Sequence, residues 1–337
     1  MSDVRVVDPH DEIALRAWYT AMRAGAAADR VHPLIQAYEE FATSLRTPNP
    51  SRRRTAYAAY GADGTVLGTL DLALPLKENL RLAEWDVNVP PEYRRRGVGT
   101  ALFEFGHRLA TAEGRTVHSA EVNIPQDQGP ERFAGSLFAR RLGFTTEHQE
   151  DRLILELPVA DDALAAIKER SAGSHSGYSF VGWTRACPDE HVEAFALMRT
   201  TMSDEVPTGT LDHEPIVWDV ERLRLSESRL AASGMVSITT AARAADGAFA
   251  GYSLMYAPEH NPDEVYQDDT LVIDAHRGHR LGAAMKARNL EILQAGHPGR
   301  SRVHTWTAGS NAPMRHVNAS FGFRAVELMH EMQRTDA

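Results

Sequence analysis

The chain has 337 residues, 43% hydrophobic and 24% charged, with a formal net charge of −10 and a single cysteine, Cys187. That length exceeds what one hydrophobic core usually spans, so about two domains are expected, and the acidic balance argues against nonspecific nucleic-acid binding while mildly favouring a cationic small partner. No apolar run approaches a membrane span, the Met-Ser-Asp-Val-Arg start lacks a signal peptide's apolar core, and one cysteine excludes an internal disulfide framework, so a cytoplasmic protein without membrane contact is expected.

In chain order, a strand from Val4 precedes a helix over Ile13 to Met22. Residues 54–74 alternate apolar and polar around Asp63-Gly64, the pattern of a hairpin. A strand over Leu82 to Val89 meets Pro90-Pro91, turns through Arg94-Arg95-Arg96-Gly97-Val98-Gly99-Thr100, and enters a helix to about Ala112. Leu102, Phe105 and Leu109 fall on one face of that helix, and Gly114 suits its end. A strand over Thr116 to Val122, a helix through Phe133 to Arg141, the corner Leu142-Gly143-Phe144 and a strand over Leu153 to Leu157 complete the first half.

Residues 159–177 read as a connector holding a short helix and a Ser/Gly-rich loop. The order then recurs. A strand over Tyr178 to Trp183 and a helix opened by Pro188 precede a hairpin over Val236 to Tyr256, which turns at Asp246-Gly247. The strand Leu271-Val272-Ile273 leads into Asp274-Ala-His-Arg277-Gly278-His279-Arg280-Leu281-Gly282 and a helix to Gln294. A strand over Val303 to Thr307, a helix over Met314 to Ser320 and the corner Phe321-Gly322-Phe323 follow. An offset of 183 superposes Arg94 on Arg277, Val89 on Val272 and Gly99 on Gly282. A repeat this long means two copies of one fold, at 1–158 and 178–337, and not a solenoid.

The two turns carry the chemistry. A strand–turn–helix junction stacks free backbone N–H groups at a helix start, where the dipole favours anions, and glycines allow a phosphate to approach the main chain. A dinucleotide fingerprint needs a third glycine where Leu102 stands, and a P-loop needs a Lys-Ser/Thr pair that is missing, so the turn reads as a different diphosphate cradle. The Arg-x-x-Gly-x-Gly pattern at Arg94, Gly97 and Gly99 resembles the acyl-CoA loop of the GNAT (GCN5-related) N-acetyltransferases, and the whole chain resembles a tandem GNAT protein of actinobacterial type.

That resemblance implies an α+β fold in each half, a mostly antiparallel, splayed mixed sheet flanked by helices. It implies acetyl-CoA as co-substrate, no metal, a small-molecule amine as acceptor, and a monomer or homodimer. Val87, Asn88, Val89 and residues 94–100 would hold the cofactor in the first half. Val272, Arg277, Gly278, Leu281, Gly282 and Asn311 would hold it in the second. Arg280 replaces a loop glycine in the second copy, which ranks the first copy as the better binder. Direct attack on the thioester requires a base, for which Glu84, Asp86, Asp268 and Asp269 are the candidates. The family's acidic tyrosine is replaced by Ala139 and Asn318, and Asn318 is expected to hydrogen-bond the sulfur or the substrate. A non-catalytic acyl-CoA sensor, or a transferase using another acyl donor, is the alternative.

Three other features read as structural. Cys187 with nearby His191 is more simply a packed thiol than a nucleophile. Arg52-Arg53-Arg54 reads as a solvated strand guard. Trp85, Trp183, Trp218 and Trp306 read as core. No His-Glu-x-x-His or Cys-x-x-Cys spacing marks a metal.

Overall fold

The computed structural model describes residues 3–336. In chain order its elements are β1 (Asp3–Val6), α1 (Glu12–Ala27), α2 (Tyr38–Arg46), β2 (Arg52–Tyr60), β3 (Val66–Pro75), β4 (Leu82–Asn88), α3 (Val98–Ala112), β5 (Val117–Pro125), α4 (Ala134–Arg141) and β6 (Thr145–Glu156). The second series is α5 (Asp161–Ala172), β7 (Ser179–Thr184), α6 (Val192–Glu205), α7 (Val220–Ala232), β8 (Met235–Arg243), β9 (Phe249–Pro258), β10 (Glu264–Val272), α8 (Leu281–Gly296), β11 (Arg302–Ala308), α9 (Ala312–Phe321) and β12 (Arg324–Thr335).

Two compact units result, and their segments interleave. One takes the described residues up to Gln149, Thr208–Glu214 and the residues from Glu327 onward; the other takes Glu150–Pro207 and Pro215–Val326. In the first unit the strands run β1-β2-β3-β4-β5-β12, and in the second β6-β11-β10-β9-β8-β7. Each series therefore ends on a strand that serves the other unit: β12 pairs antiparallel with β5, and β6 with β11. The segment read as a connector contains α5, which lays Leu164 and Ile167 into the second unit's core.

Local chemistry explains the elements. Asp11 caps α1 by accepting from the Ile13 and Ala14 amides, and Leu15, Trp18 and Met22 bury one stripe of that helix. The β2–β3 and β8–β9 hairpins turn at Gly64 and Gly247, whose φ angles of +85° and +89° suit glycine. Helix α3 lies on the sheet through Val98, Leu102 and Phe103, packed with Leu70, Leu72 and Trp85. Its partner α8 buries Ala287, Leu290 and Leu293 against Ile238 and Val265.

β12 is held in the first unit by more than its ladder. Arg30, just past α1, donates from Nε and Nη2 to the two carboxylate oxygens of buried Glu327, both at 2.7 Å. Such a bidentate pair is strong because its geometry offsets the desolvation of both charges. Arg30→Met is expected to cost about 3–5 kcal/mol in denaturant unfolding by stripping Glu327 of its guanidinium. The double variant Arg30→Met/Glu327→Leu should recover most of that loss.

Candidate functional site

The middle of each unit is a pair of parallel strands that stops pairing. β4 pairs β5 from Leu82↔Val117 to Trp85↔Ala120 and no further, although both strands continue. β10 pairs β11 from Glu264↔Arg302 to Tyr266↔His304, and then parts from it in the same way. Beyond those points Asp86 to Asn88 and Asp268 to Val272 run along an open V. A bulge between Gln267 and Thr270 gives β10 one extra residue, whereas the β4–β3 register is regular. A bulge leaves its extra residue out of the ladder, and here the Gln267 side-chain amide donates to the Asp269 carbonyl at 3.2 Å.

At the head of each V the strand enters a turn and then a helix. In the first unit Arg94 is extended (φ −65°, ψ 159°), Arg95 and Gly97 have φ of +62° and +81°, and α3 begins at Val98. In the second Arg277 has φ −67° and ψ 160°, Gly278 and Arg280 have φ of +85° and +55°, and α8 begins at Leu281. The two turns are the same backbone. Each needs two left-handed residues and places glycine at a different one, so each carries one non-glycine strain of about 1 kcal/mol. The first intrahelical bonds are Ala101 N to Gly97 O and Ala284 N to Arg280 O. The amides of Arg95 to Thr100 and of Gly278 to Ala283 therefore find no backbone acceptor among the described residues, giving each turn a row of free donors.

Arg280 does not crowd its turn. Its guanidinium donates to the Arg170 carbonyl, away from the free amides. Arg94 and Arg277 are braces: Arg94 Nε donates to Val89 O at 3.0 Å and Nη1 to Asp29 at 2.7 Å. Arg277 Nε donates to Val272 O at 3.1 Å and Nη2 to Glu205 at 2.8 Å. Each turn is thereby tied to the strand residue five positions earlier. Arg95 and Arg96 are exposed, with no ion pair among the described residues. Val98 and Leu281 are buried and seat the helix starts, while Val87, Val89 and Val272 pack beside the cores and offer only main chain to a ligand. Thr100 and Gly282 sit half-buried in the first helical turns. Gly99 is glycine for packing: a Cβ there would lie 3.0 Å from the Phe138 ring, whereas a Cβ at Gly282 would meet nothing nearer than 3.5 Å.

The carboxylates gather on the open strands. In the first unit Asp71 lies directly opposite Asp86, and Glu121 directly opposite Glu331, with Glu84 two residues before Asp86 on the same face. Opposed like charges destabilise a sheet. Arg54 donates to Asp71 at 2.6 Å and Arg52 pairs with Glu84 at 2.7 Å, so two of the three guard arginines have carboxylate partners on this face. Asp86 keeps solvent contact and accepts from Asn88 Nδ2 at 2.7 Å, yet the surrounding protein and Asp71 push its carboxyl up to about 6. Crowding and Glu331 push Glu121 to about 7, and burial raises Glu84 as well.

In the second unit crowding and Asp269 raise Asp268 to about 7. Asp269 accepts from Tyr252 OH at 2.5 Å and lies 3.5 Å from Arg199, which also donates to Tyr256 OH and sits over the Trp218 ring. Asn311 caps α9 by accepting from the Met314 amide at 3.2 Å. Asn318 is fully buried: its carbonyl accepts from Lys286 Nζ and its amide donates to Thr307 Oγ1, both at 2.9 Å. Glu121, Glu331, Asp71 and Arg199 escaped the sequence reading because no local motif carries them; strand register brings the three carboxylates to one face. Cys187 is buried, and burial with Glu227 pushes its thiol up to about 12, which removes the nucleophile.

Residues 15–134 match the model of the acetyltransferase (GNAT) family. The whole chain is similar to a solved tandem GNAT protein from the clavulanic acid biosynthesis pathway, with 27% identity, a TM-score of 0.83, and 99% of this chain and 98% of that one covered. The chain as a whole has the fold of a tandem GNAT protein. A GCN5-related N-acetyltransferase from Sphaerobacter thermophilus (14% identity, TM-score 0.67, 99% and 95% covered) shares that fold. So does an acetyltransferase from Pyrococcus horikoshii (12% identity, TM-score 0.56, 99% and 89% covered). No curated protein matches the sequence. No helix among the described residues is long and apolar enough to cross a membrane.

The packing at the two helix starts makes opposite predictions. Gly99→Ala should lower stability by about 1 kcal/mol through the Phe138 contact and be rescued by Phe138→Leu. Gly282→Ala should be neutral or stabilising by up to about 1 kcal/mol, both read from thermal unfolding.

Proposed function

We propose that the protein is an acyl-CoA-dependent N-acyltransferase that moves an acetyl group from acetyl-CoA to a small-molecule amine by direct attack on the thioester. The observation that carries this reading is the strand pair that opens beside a turn of free amides. The turn offers donors to a diphosphate, and the V offers unpaired main chain to the amide-bearing arm between diphosphate and sulfur. Neither feature requires a metal, and the same reading extends to both units.

Transfer is assigned to the first unit. An amine arrives as a cation, and the face formed by Asp71, Glu84, Asp86, Glu121 and Glu331 draws it in with two arginines as internal counterions. The ammonium must lose a proton before it attacks. Asp86, on the open part of β4 and with its carboxyl near 6, is placed to take that proton directly or through water. The amine nitrogen then bonds to the thioester carbon, main-chain N–H groups at Val87 to Val89 stabilise the oxyanion, the nitrogen gives up its second proton to water, and the C–S bond breaks to release CoA thiolate. The thiolate takes its proton from solvent, since Asn318 and Ala139 supply no acid.

Asp86→Asn should lower kcat/KM for the acceptor by about 10²-fold or more, while the same change at Asp268 leaves most of the rate. The reverse ranking would place transfer in the second unit, and amine-independent binding of CoA with no thiol release across a broad amine panel would overturn the enzyme reading. Wild-type kcat/KM should fall as pH drops below about 6. A stability signature accompanies this. The Asp86 pKa is raised from 3.8, so its favourable contribution is full below about pH 4 and lost as pH rises through about 6. Asp86→Asn should therefore be more stable than wild type at pH 8 and indistinguishable from it at pH 4.

A further inference from the structure

Three residues far apart in the chain converge at the other end of α3. His107 lies on α3, His118 on β5, and Asp336 follows β12. Both imidazole Nε2 atoms aim at one carboxylate oxygen, Asp336 Oδ2, at 2.5 Å from His107 and 3.1 Å from His118. All three ligand atoms lie within 4.8 Å of one another. The rings are 4.8 Å apart between centroids; His118 is fully buried under Trp85, and His107 keeps a quarter of its side chain exposed.

The carboxylate is held for this arrangement. Arg334 engages only Oδ1, from Nε at 2.9 Å and Nη2 at 2.8 Å, and its Nη1 donates to Leu142 O at 3.0 Å. The Asp336 amide donates to Thr116 O at 2.8 Å, which fixes the backbone. Oδ2 is left to the histidines. An outer partner that locks a carboxylate's free oxygen toward a cluster of imidazoles is the usual support of a metal ligand set.

We propose that His107 Nε2, His118 Nε2 and Asp336 Oδ2 form a binding site for a zinc-class divalent cation, with water in the fourth position. Around a tetrahedral zinc ion, with bonds of about 2.0–2.2 Å, neighbouring ligand atoms stand about 3.3 Å apart. The 2.5 and 3.1 Å separations to Asp336 Oδ2 are both shorter than that, so an ion would enter by replacing these hydrogen bonds and moving the side chains apart by less than about 1 Å. Two imidazoles and one carboxylate favour zinc over the oxygen-seeking magnesium and calcium. Burial lowers the His118 pKa against the opposing pull of Asp336. His107 stands nine residues beyond the start of α3, or about 13 Å along the helix. The ion thus ties the end of β12 to α3 and β5, away from the acyl-transfer chemistry, and this site is independent of the reading above.

The test uses the full chain without an affinity tag, stripped with chelator, dialysed, and titrated with zinc chloride by calorimetry and by thermal unfolding. Wild type should bind one zinc per chain and gain thermal stability. His107→Ala and Asp336→Asn should each weaken that site at least 10-fold and abolish the stability gain, and exposed His10→Ala should change neither. Cobalt(II) should give the absorption of a four-coordinate ion in wild type and not in His107→Ala. Equal zinc affinity in wild type, His107→Ala and Asp336→Asn, or the absence of a saturable single site, overturns the proposal. Both test variants keep buried His118, so the outcome does not depend on a variant that fails to fold.

Discussion

Backbone hydrogen bonding is satisfied throughout a sheet except where two strands part. Past Trp85 on β4 and Tyr266 on β10 the parallel ladders stop while the strands run on. Main-chain groups facing that gap find no strand partner across it. The braced turns sit at the head of the gap because Arg94 and Arg277 bind the carbonyls of Val89 and Val272. Strand opening, turn and helix start are thus one mechanical piece. It is built twice.

The two copies diverge around that shared piece. The turns trade glycine and non-glycine between their two left-handed positions, which leaves the backbone unchanged. The surroundings of the V differ far more. The first unit has a regular β4 and a face of opposed carboxylates, whose mutual repulsion Arg52 and Arg54 offset. The second has a bulged β10 and ties Asp269 to Tyr252 and Arg199, so one of its two strand carboxylates is already committed to protein partners. Its Lys286 is buried against Asn318, and burial lowers it to about 7. These are the features of a cleft rebuilt around internal bonds.

Much of this was legible in local sequence. The hairpins at Asp63-Gly64 and Asp246-Gly247, the helix starts at Val98 and Leu281 and the repeat itself follow from alternation, glycine placement and apolar periodicity. What failed to show was also local in origin. Helix α2 includes buried Glu40 and opens without a side-chain cap, and α7 is polar on most of its surface, so neither announces itself. Strands β6 and β12 begin with polar residues, and their early parts lack a readable alternation.

The sequence by itself determined the two turns and the helices they open, because left-handed backbone, free amides and an apolar helical stripe are set by residues within about ten positions of one another. Only the tertiary structure decided which strand completes which unit, since a strand's pattern names its buried face and not its partner. Register likewise set Asp71 against Asp86 and Glu121 against Glu331. Folding also turned Gly99 into a packing requirement beneath Phe138, turned Arg280 away from its own turn, and drew His107, His118 and Asp336 together across more than two hundred residues of chain. Chemistry that depends on neighbours in space is invisible to spacing along the chain.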